Sequence, residues 1–411
     1  MTNTTTSTTE SPRSLRDSFR KLLRQDTGLI PVLAALVILV IYFEARSSIF
    51  LQAYNIANLF TQASVYVLLA MAETWLLLLG EIDLSLGWVS TGAGMLAGIY
   101  TNVQYGWPWP LAFALGLVAA VLVGVVAGFL TVKMNMPSLI VTLGLQSLVQ
   151  GLVIYELNRV FQGGGVPVQD AVLRNLIGGD LTPTWSWILV VVVIVAMSAS
   201  MIWTRMRRRA AGLELPSLWK LFLRIGIVTA LGIFLGAIFS VNRGTFAAVP
   251  VSGIPFAVPI VLVLVAFYSF ILGRTKFGRY MYAIGGNKEA ARRAGIPVDR
   301  YRIYAFMMGG LTAGVAGLML ISQLQGVATS STDASIVLYA VAGAVIGGVS
   351  LFGGRGRMVG AVLGGVILAV IKNGLALIQL SGPAVLMVTG IVLIAAVLID
   401  VVSRRFQALA K

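Results

Sequence analysis

Residues 109–131 read WPLAFALGLVAAVLVGVVAGFLT, and they decide the fold. The stretch carries no charged side chain. Wound as an α-helix rising about 1.5 Å per residue, it crosses a hydrocarbon layer about 30 Å thick and closes its backbone hydrogen bonds internally. Working outward, comparable apolar stretches recur at about 29–45, 59–80, 87–102, 138–157, 184–203, 219–241, 255–272, 301–322, 336–350, 357–378 and 384–402. The pattern predicts an all-α, polytopic membrane protein of about twelve transmembrane helices. Spans 87–102 and 336–350 are short for a bilayer and read as broken or re-entrant helices.

Composition agrees. Of 411 residues, 58% are hydrophobic and 11% charged, and the mean hydropathy is +0.92. A soluble domain carries about 25% charged residues and cannot hide this much apolar surface. The 45 glycines suit helices whose backbones approach closely in a membrane. With no cysteine and no histidine, disulfides, Cys/His zinc sites, thiol nucleophiles and histidine bases are excluded, and no metal site is expected.

The net charge of +15 is a topology signal. With the N-terminus inside, the tail, Lys133, residues 204–224, residues 273–302, Arg355 with Arg357, and the C-terminal tail hold 25 of the 30 basic residues. The opposite face has Arg46, Arg159, Arg174 and Arg243, and Lys372 lies within a span. This asymmetry places both termini in the cytoplasm and argues against a nucleic-acid partner. The expected organisation is a polar N-terminal tail over 1–28, disordered at its start, a transmembrane domain over 29–402, and a short tail over 403–411. Two outside connectors, 158–183 with Gly163-Gly164-Gly165 and 242–254 with Asn242-Arg243-Gly244, read either as contacts for an external partner or as plain connectors.

Three features carry chemistry. The first is cytoplasmic: residues 273–302, GRTKFGRYMYAIGGNKEAARRAGIPVDRYR. Asn287 can cap a helix from Lys288 to Ala294, Gly295 suits its stop and Pro297 forbids continuation. Glu289 and Arg293 form a favourable i,i+4 pair. Ala290, Ala291 and Ala294 give it a small, smooth face, while Arg292 adds to its charge. It reads either as a helix made to lie in a groove of another protein or as a surface helix at the headgroups. The second is Leu79–Gly87, LGEIDLSLG. Glu81, Asp83 and Ser85 sit between apolar spans, with Gly80 and Gly87 bracketing a break. An ionised carboxylate there faces a cavity, a partner or the interface, so the motif reads as a pathway or gate element or as an acidic interfacial turn. Residues 346–354, IGGVSLFGG, echo it at Gly347, Leu351 and Gly354, hinting at an internal pseudo-repeat. The third is a set of polar residues within spans: Glu73, Gln146, Gln150, Glu156, Gln323, Gln325, Lys372, Asn373 and Gln379. Each could line a path for a neutral hydroxylated solute or bond helices together. Glu73, beside Trp75, is the sharpest, followed by Lys372-Asn373.

Absences matter too. No GxxxxGK[ST] is present, so no ATP hydrolysis is expected on this chain. There is no TVGYG filter and no series of buried acids for a proton relay.

Three of these stretches, in this order, resemble the permease subunits of bacterial ABC-type monosaccharide importers, the ribose/xylose permease family. They are GEIDLSLG at 80–87, FGRYMYAIGGNKEAARRAGI at 277–296, and GAVIGGVSLFGGRGRMVGAVLGG at 343–365 followed by Asn373-Gly374. Glu81 and the stretch RMRRRAAGL at 205–213 resemble the xylose permeases most. Phe352, Arg355 and Arg357 are bulkier and more basic than the family pattern after the late glycine run. The resemblance implies a multi-pass inner-membrane permease, homodimeric or pseudo-symmetric. It would pair with a separate ABC ATPase that binds ATP and magnesium, and with an external sugar-binding protein. No cofactor is implied on this chain. Residues 287–295 would be the helix coupling to the ATPase, and Glu81, Asp83, Ser85, Glu73 and Asn373 pathway or gate residues. The implied mechanism is alternating access, with D-xylose or a related monosaccharide as cargo. The competing expectations are an ion-coupled secondary sugar transporter, with thin support in Glu73 and Glu156, and a membrane enzyme, for which no clustered acid pair exists.

Overall fold

A computed structural model of the chain describes residues 29–161, 165–213, 215, 217–244, 251–327 and 335–409. The N-terminal tail over 1–28, Gly163-Gly164 and most of the loop after Gly244 lie outside these residues. Fifteen helices are described: α1 (Leu29–Arg46), α2 (Ala53–Leu77), α3 (Leu86–Tyr100), α4 (Trp109–Lys133), α5 (Ser138–Phe161), α6 (Ala171–Gly178), α7 (Pro183–Ala210), α8 (Leu218–Ser240), α9 (Ala257–Arg274), α10 (Lys276–Gly286), α11 (Lys288–Arg293), α12 (Val298–Leu324), α13 (Ile336–Ile346), α14 (Met358–Leu377) and α15 (Gly382–Leu409). Each of the twelve apolar stretches falls on a helix. Among the described residues, eight helices are long and apolar enough to cross a membrane. The two short spans are short here as well, with 15 residues in α3 and 11 in α13.

The elements follow from their sequences. Pro108 and Pro110 open α4 where a missing N–H costs nothing. Thr182 caps α7, its hydroxyl accepting from the Trp185 N–H. Helix α15 continues through Leu409, past the apolar stretch that ends at 402.

The core is built on α2 and α12. Helix α12 packs against α2, α3 and α4, and α2 packs against α13 and α14. Burial over the apolar windows is 72% in α12 and α14 but 6% in α7 and α8. The first pair therefore forms the protein's interior, and the second faces the surrounding apolar medium. Small residues make the seams: a Cβ on Gly317 of α12 would lie 1.8 Å from the Ser90 carbonyl of α3, an approach only glycine permits. Bulk fills the remainder, with Trp75, Trp88, Phe306, Leu68 and Met71 fully buried.

Part of connector 158–183 is built as helix α6. Asp170 caps α6 by accepting from the Leu173 N–H at 2.8 Å. Leu173 and Ile177 of α6 are buried, and the Ile177 N–H donates to Ser322 Oγ at the end of α12. A two-residue antiparallel pairing joins β1 (Val166–Pro167) to β2 (Gly326–Val327). The cap followed by an apolar doublet was the signal for this helix. Nearby, Arg243 is buried and ion-paired with Asp180 at 2.9 Å, and it donates to the Gly253 carbonyl. Burial pushes the Asp180 carboxyl above its ordinary range, and Arg243 opposes that rise.

Candidate functional site

The chain breaks between α2 and α3 where LGEIDLSLG predicts a break. Gly80 has a left-handed φ of 74°, which turns the backbone out of α2. The break is then organised residue by residue. Asp83, 1% exposed, accepts from the Ser85 N–H at 2.8 Å and from Ser85 Oγ at 2.5 Å. This short local turn aims the start of α3. The Asp83 N–H donates to Glu73 Oε1 of α2 at 3.2 Å, and the Leu84 N–H donates to Thr142 Oγ1 of α5 at 3.2 Å. Glu73 is fully buried, and among the described residues its Oε2 has no hydrogen-bond partner. Thus Glu73, Asp83 and Ser85 form one connected group.

Glu81 belongs to a different contact. Its carboxylate meets Arg302 of α12, whose Nε donates at 2.9 Å and whose Nη2 donates to the same oxygen. Both side chains are largely buried. Sequence reasoning counted Arg302 only as a cytoplasmic charge. The signal lay in its spacing: Val298, Arg302, Ala305, Phe306 and Gly309 form one buried helical stripe, so this arginine points inward.

Segment 273–302 is a capped helical turn on a short amphipathic helix. Thr275 caps α10, and Asn287 caps α11 by accepting from the Ala290 N–H at 2.9 Å. The Gly295 N–H closes on the Arg292 carbonyl, with Gly295 itself at φ 80°. The expected smooth alanine face splits in two. Ala291 is buried against Ile284 and Val298 and seats α11 on its own protein. Ala290 and Ala294 face outward with Glu289, Arg292 and Arg293. Glu289 lies 3.7 Å from Arg293 Nε, an exposed pair of little energetic weight. At the head of α11, partial desolvation pushes the Lys288 ammonium below its ordinary range. Arg302 pushes it further, while Glu81 draws it back up.

These segments converge. The Gly354 N–H, in the turn after α13, donates to the Leu78 carbonyl at the end of α2 at 2.9 Å. A Cβ on Gly285 of α10 would lie 1.8 Å from that same carbonyl oxygen and 2.5 Å from Gly354 N. Gly353 and Gly354, at φ 84° and 73°, rest on Gly285 and Gly286. Tyr282 Oη of α10 donates to the Gly356 carbonyl at 2.8 Å. The two echoing breaks and segment 273–302 therefore meet, with main chain in direct contact where Gly285 and Gly354 approach the Leu78 carbonyl. Phe352 does not disturb this turn because its ring points out, 61% exposed, while its carbonyl approaches Gly80.

The other intramembrane residues do not join the junction. Asn373 and Asn55 exchange two amide hydrogen bonds, at 2.9 and 3.0 Å, and bond α14 to α2. Lys372 lies over the rings of Tyr66 and Tyr339, with its Nζ 5.6 and 5.0 Å from their centroids. Glu156 pairs with Arg159 on α5, and Gln325 Nε2 donates to the Arg174 and Ser322 carbonyls. Gln146, Gln150 and Gln323 are half-buried and Gln379 is exposed. No cluster of three Asp or Glu that could hold a metal occurs among the described residues.

Comparison with known proteins bears on this geometry. A family model described as the branched-chain amino acid transport system / permease component matches residues 55–215 and 221–397. The xylose transport system permease protein of Escherichia coli (strain K12) is 33% identical over 91% of this chain and 92% of its own length. Its counterpart in Haemophilus influenzae is 31% identical over 92% and 96%. The ribose import permease protein of E. coli K12 is 28% identical over 90% and 92%. No solved structure matches.

Proposed function

Because this chain belongs to the branched-chain amino acid transport system permease component family, with xylose permeases among its near full-length relatives, we propose that it carries D-xylose or a closely related monosaccharide. The chain is the permease subunit of an ABC-type sugar importer, a multi-pass protein of the inner membrane rather than an ion-coupled transporter. The finer reading is as follows. Both termini face the cytoplasm. A separate ABC ATPase, binding ATP and magnesium, docks on the outward face of α11 through Lys288, Glu289, Ala290, Arg292, Arg293 and Ala294. Asn287 and Gly295 hold that helix in shape, and Ala291 anchors it from behind. An external sugar-binding protein delivers the solute to a pair of permease copies.

The observation that carries the reading is the glycine junction. Rotation of α11 moves α10, and α10 bears directly on the breaks before α3 and after α13 through Gly285 and Gly286. Such a contact converts work done at the cytoplasmic surface into motion of the two breaks. Glu73, Glu81, Asp83 and Ser85 are then gate-organising residues, and Asn373 holds α14 to α2 beside the path. Proteoliposomes holding this chain, its ATPase and its binding protein should take up radiolabelled D-xylose only when ATP is supplied on the ATPase side. Uptake by this chain alone, driven by an ion gradient, would end the reading.

A further inference from the structure

Helices α7 and α8 form a hairpin that leans on the protein at one end only. Its buried residues, Ser186 and Val190 of α7 and Gly236 and Phe239 of α8, all lie in the half away from the connecting turn. There they join Ile56, Ala57 and Ile254 of the main body. The two helices seat on each other in that half, Gly232 against Ile194 and Gly236 against Trp187. The turn end has no buried residue among those described.

That free end has a definite chemistry. Arg207, Arg208 and Arg209 close α7, and Lys220 and Arg224 open α8, all exposed. Trp203 is 57% exposed, Trp219 71% and Phe222 65%. Arg207 lies over the Trp203 ring at 5.5 Å. Distance along α7 fixes where this cluster sits. The exposed Trp185 and Trp203 stand roughly 27 Å apart at about 1.5 Å per residue, close to the thickness of a hydrocarbon layer of about 30 Å whose two faces tryptophans favour. Arg207–Arg209 then extend roughly 6–9 Å beyond Trp203, into the headgroup zone. Five exposed cations bordered by two tryptophans and a phenylalanine at that depth complement phosphate esters, not water alone.

We propose that the α7–α8 turn end is a binding site for anionic phospholipid headgroups of the inner leaflet, which hold the free end of the hairpin in place. The proposal rests on the cytoplasmic orientation given above. The full-length protein in nanodiscs of mixed phosphatidylcholine and phosphatidylglycerol, with each lipid offered in turn as a photo-crosslinking analogue, tests it. The phosphatidylglycerol probe should label peptides within 203–224 about threefold or more over the phosphatidylcholine probe. The variant R207Q/R208Q/R209Q/K220Q/R224Q should lose that preference, and R207K/R208K/R209K should keep it. Equal labelling by both headgroups overturns the proposal, as does a preference that survives the glutamine substitutions. So do protein–protein cross-links from A211C within the assembled importer, which would mean that a second copy or the ATPase covers the turn. Because the chain has no native cysteine, A211C also reports orientation. Labelling from the outer side breaks the orientation itself, whereas labelling from the inner side without headgroup preference breaks only the lipid site.

Discussion

Among single residues, the Glu81–Arg302 pair has the most at stake. Removing one partner leaves the other charged and largely buried, a loss of about 3–5 kcal/mol. E81Q alone and R302M alone should each lower the unfolding temperature of the detergent-purified protein clearly. The double variant E81Q/R302M should recover most of that loss, because neither charge then stands alone. A double variant no better than the single ones would mean that the two groups act separately. This pair also shows where reading the sequence stops. Glu81 was conspicuous as an acid between apolar spans, but its partner lies 221 positions away, and only the inward spacing of Arg302 along α12 betrayed it. Likewise, nothing at Asn373 announced Asn55, although an amide within a span is well placed to bond a neighbouring helix.

Among elements, α11 and the two breaks carry the proposed mechanism. Their existence was legible: a cap at Asn287, a stop at Gly295, and glycines bracketing LGEIDLSLG. Their facing was not. Nothing in AARRA says which alanine turns inward, because that depends on how α10 seats the helix against Ile284 and Val298. The structure makes the distinction testable. A290W should leave α11 seated, with an unchanged unfolding temperature, while uptake driven by ATP fails at the blocked outer face. A291W should instead overpack the anchor, costing about 1–3 kcal/mol and lowering the unfolding temperature before any partner is added. Identical behaviour of the two variants would remove the assignment of faces. The junction has its own paired test. G285A forces a methyl group into the Leu78 carbonyl, whereas G286A places one where nothing lies within 4 Å. ATP-driven uptake should fall about tenfold or more for G285A and stay near its normal level for G286A.

For the whole molecule, the apolar residues divide into two populations that composition cannot separate. Phe306 of α12 is fully buried, while Phe234 of α8 is 57% exposed to the surrounding apolar medium. F306A should cost about 3–5 kcal/mol of stability through the cavity it leaves. F234A should barely shift unfolding, since lipid tails refill the space. The long helices were readable from hydropathy because each of them is apolar, and eight of those described are long enough to cross a membrane. Which of them form the interior was not, because a membrane protein shows no polar outer face to contrast with its core. Glycine seams such as the one at Gly317 of α12 carried that information, scattered among 45 glycines.

The meeting of Gly285 and Gly354 on the Leu78 carbonyl has one more consequence. Main chain pressed on main chain has almost no give, so it acts as a strut rather than a spring. A strut bears load in both directions. If α11 swings as proposed, whatever binds beyond the breaks alters that swing by the same free energy with which the swing alters its binding. In the proposed mechanism, cargo at the far end is thereby felt at the near end, and the engine below idles until something arrives to be carried.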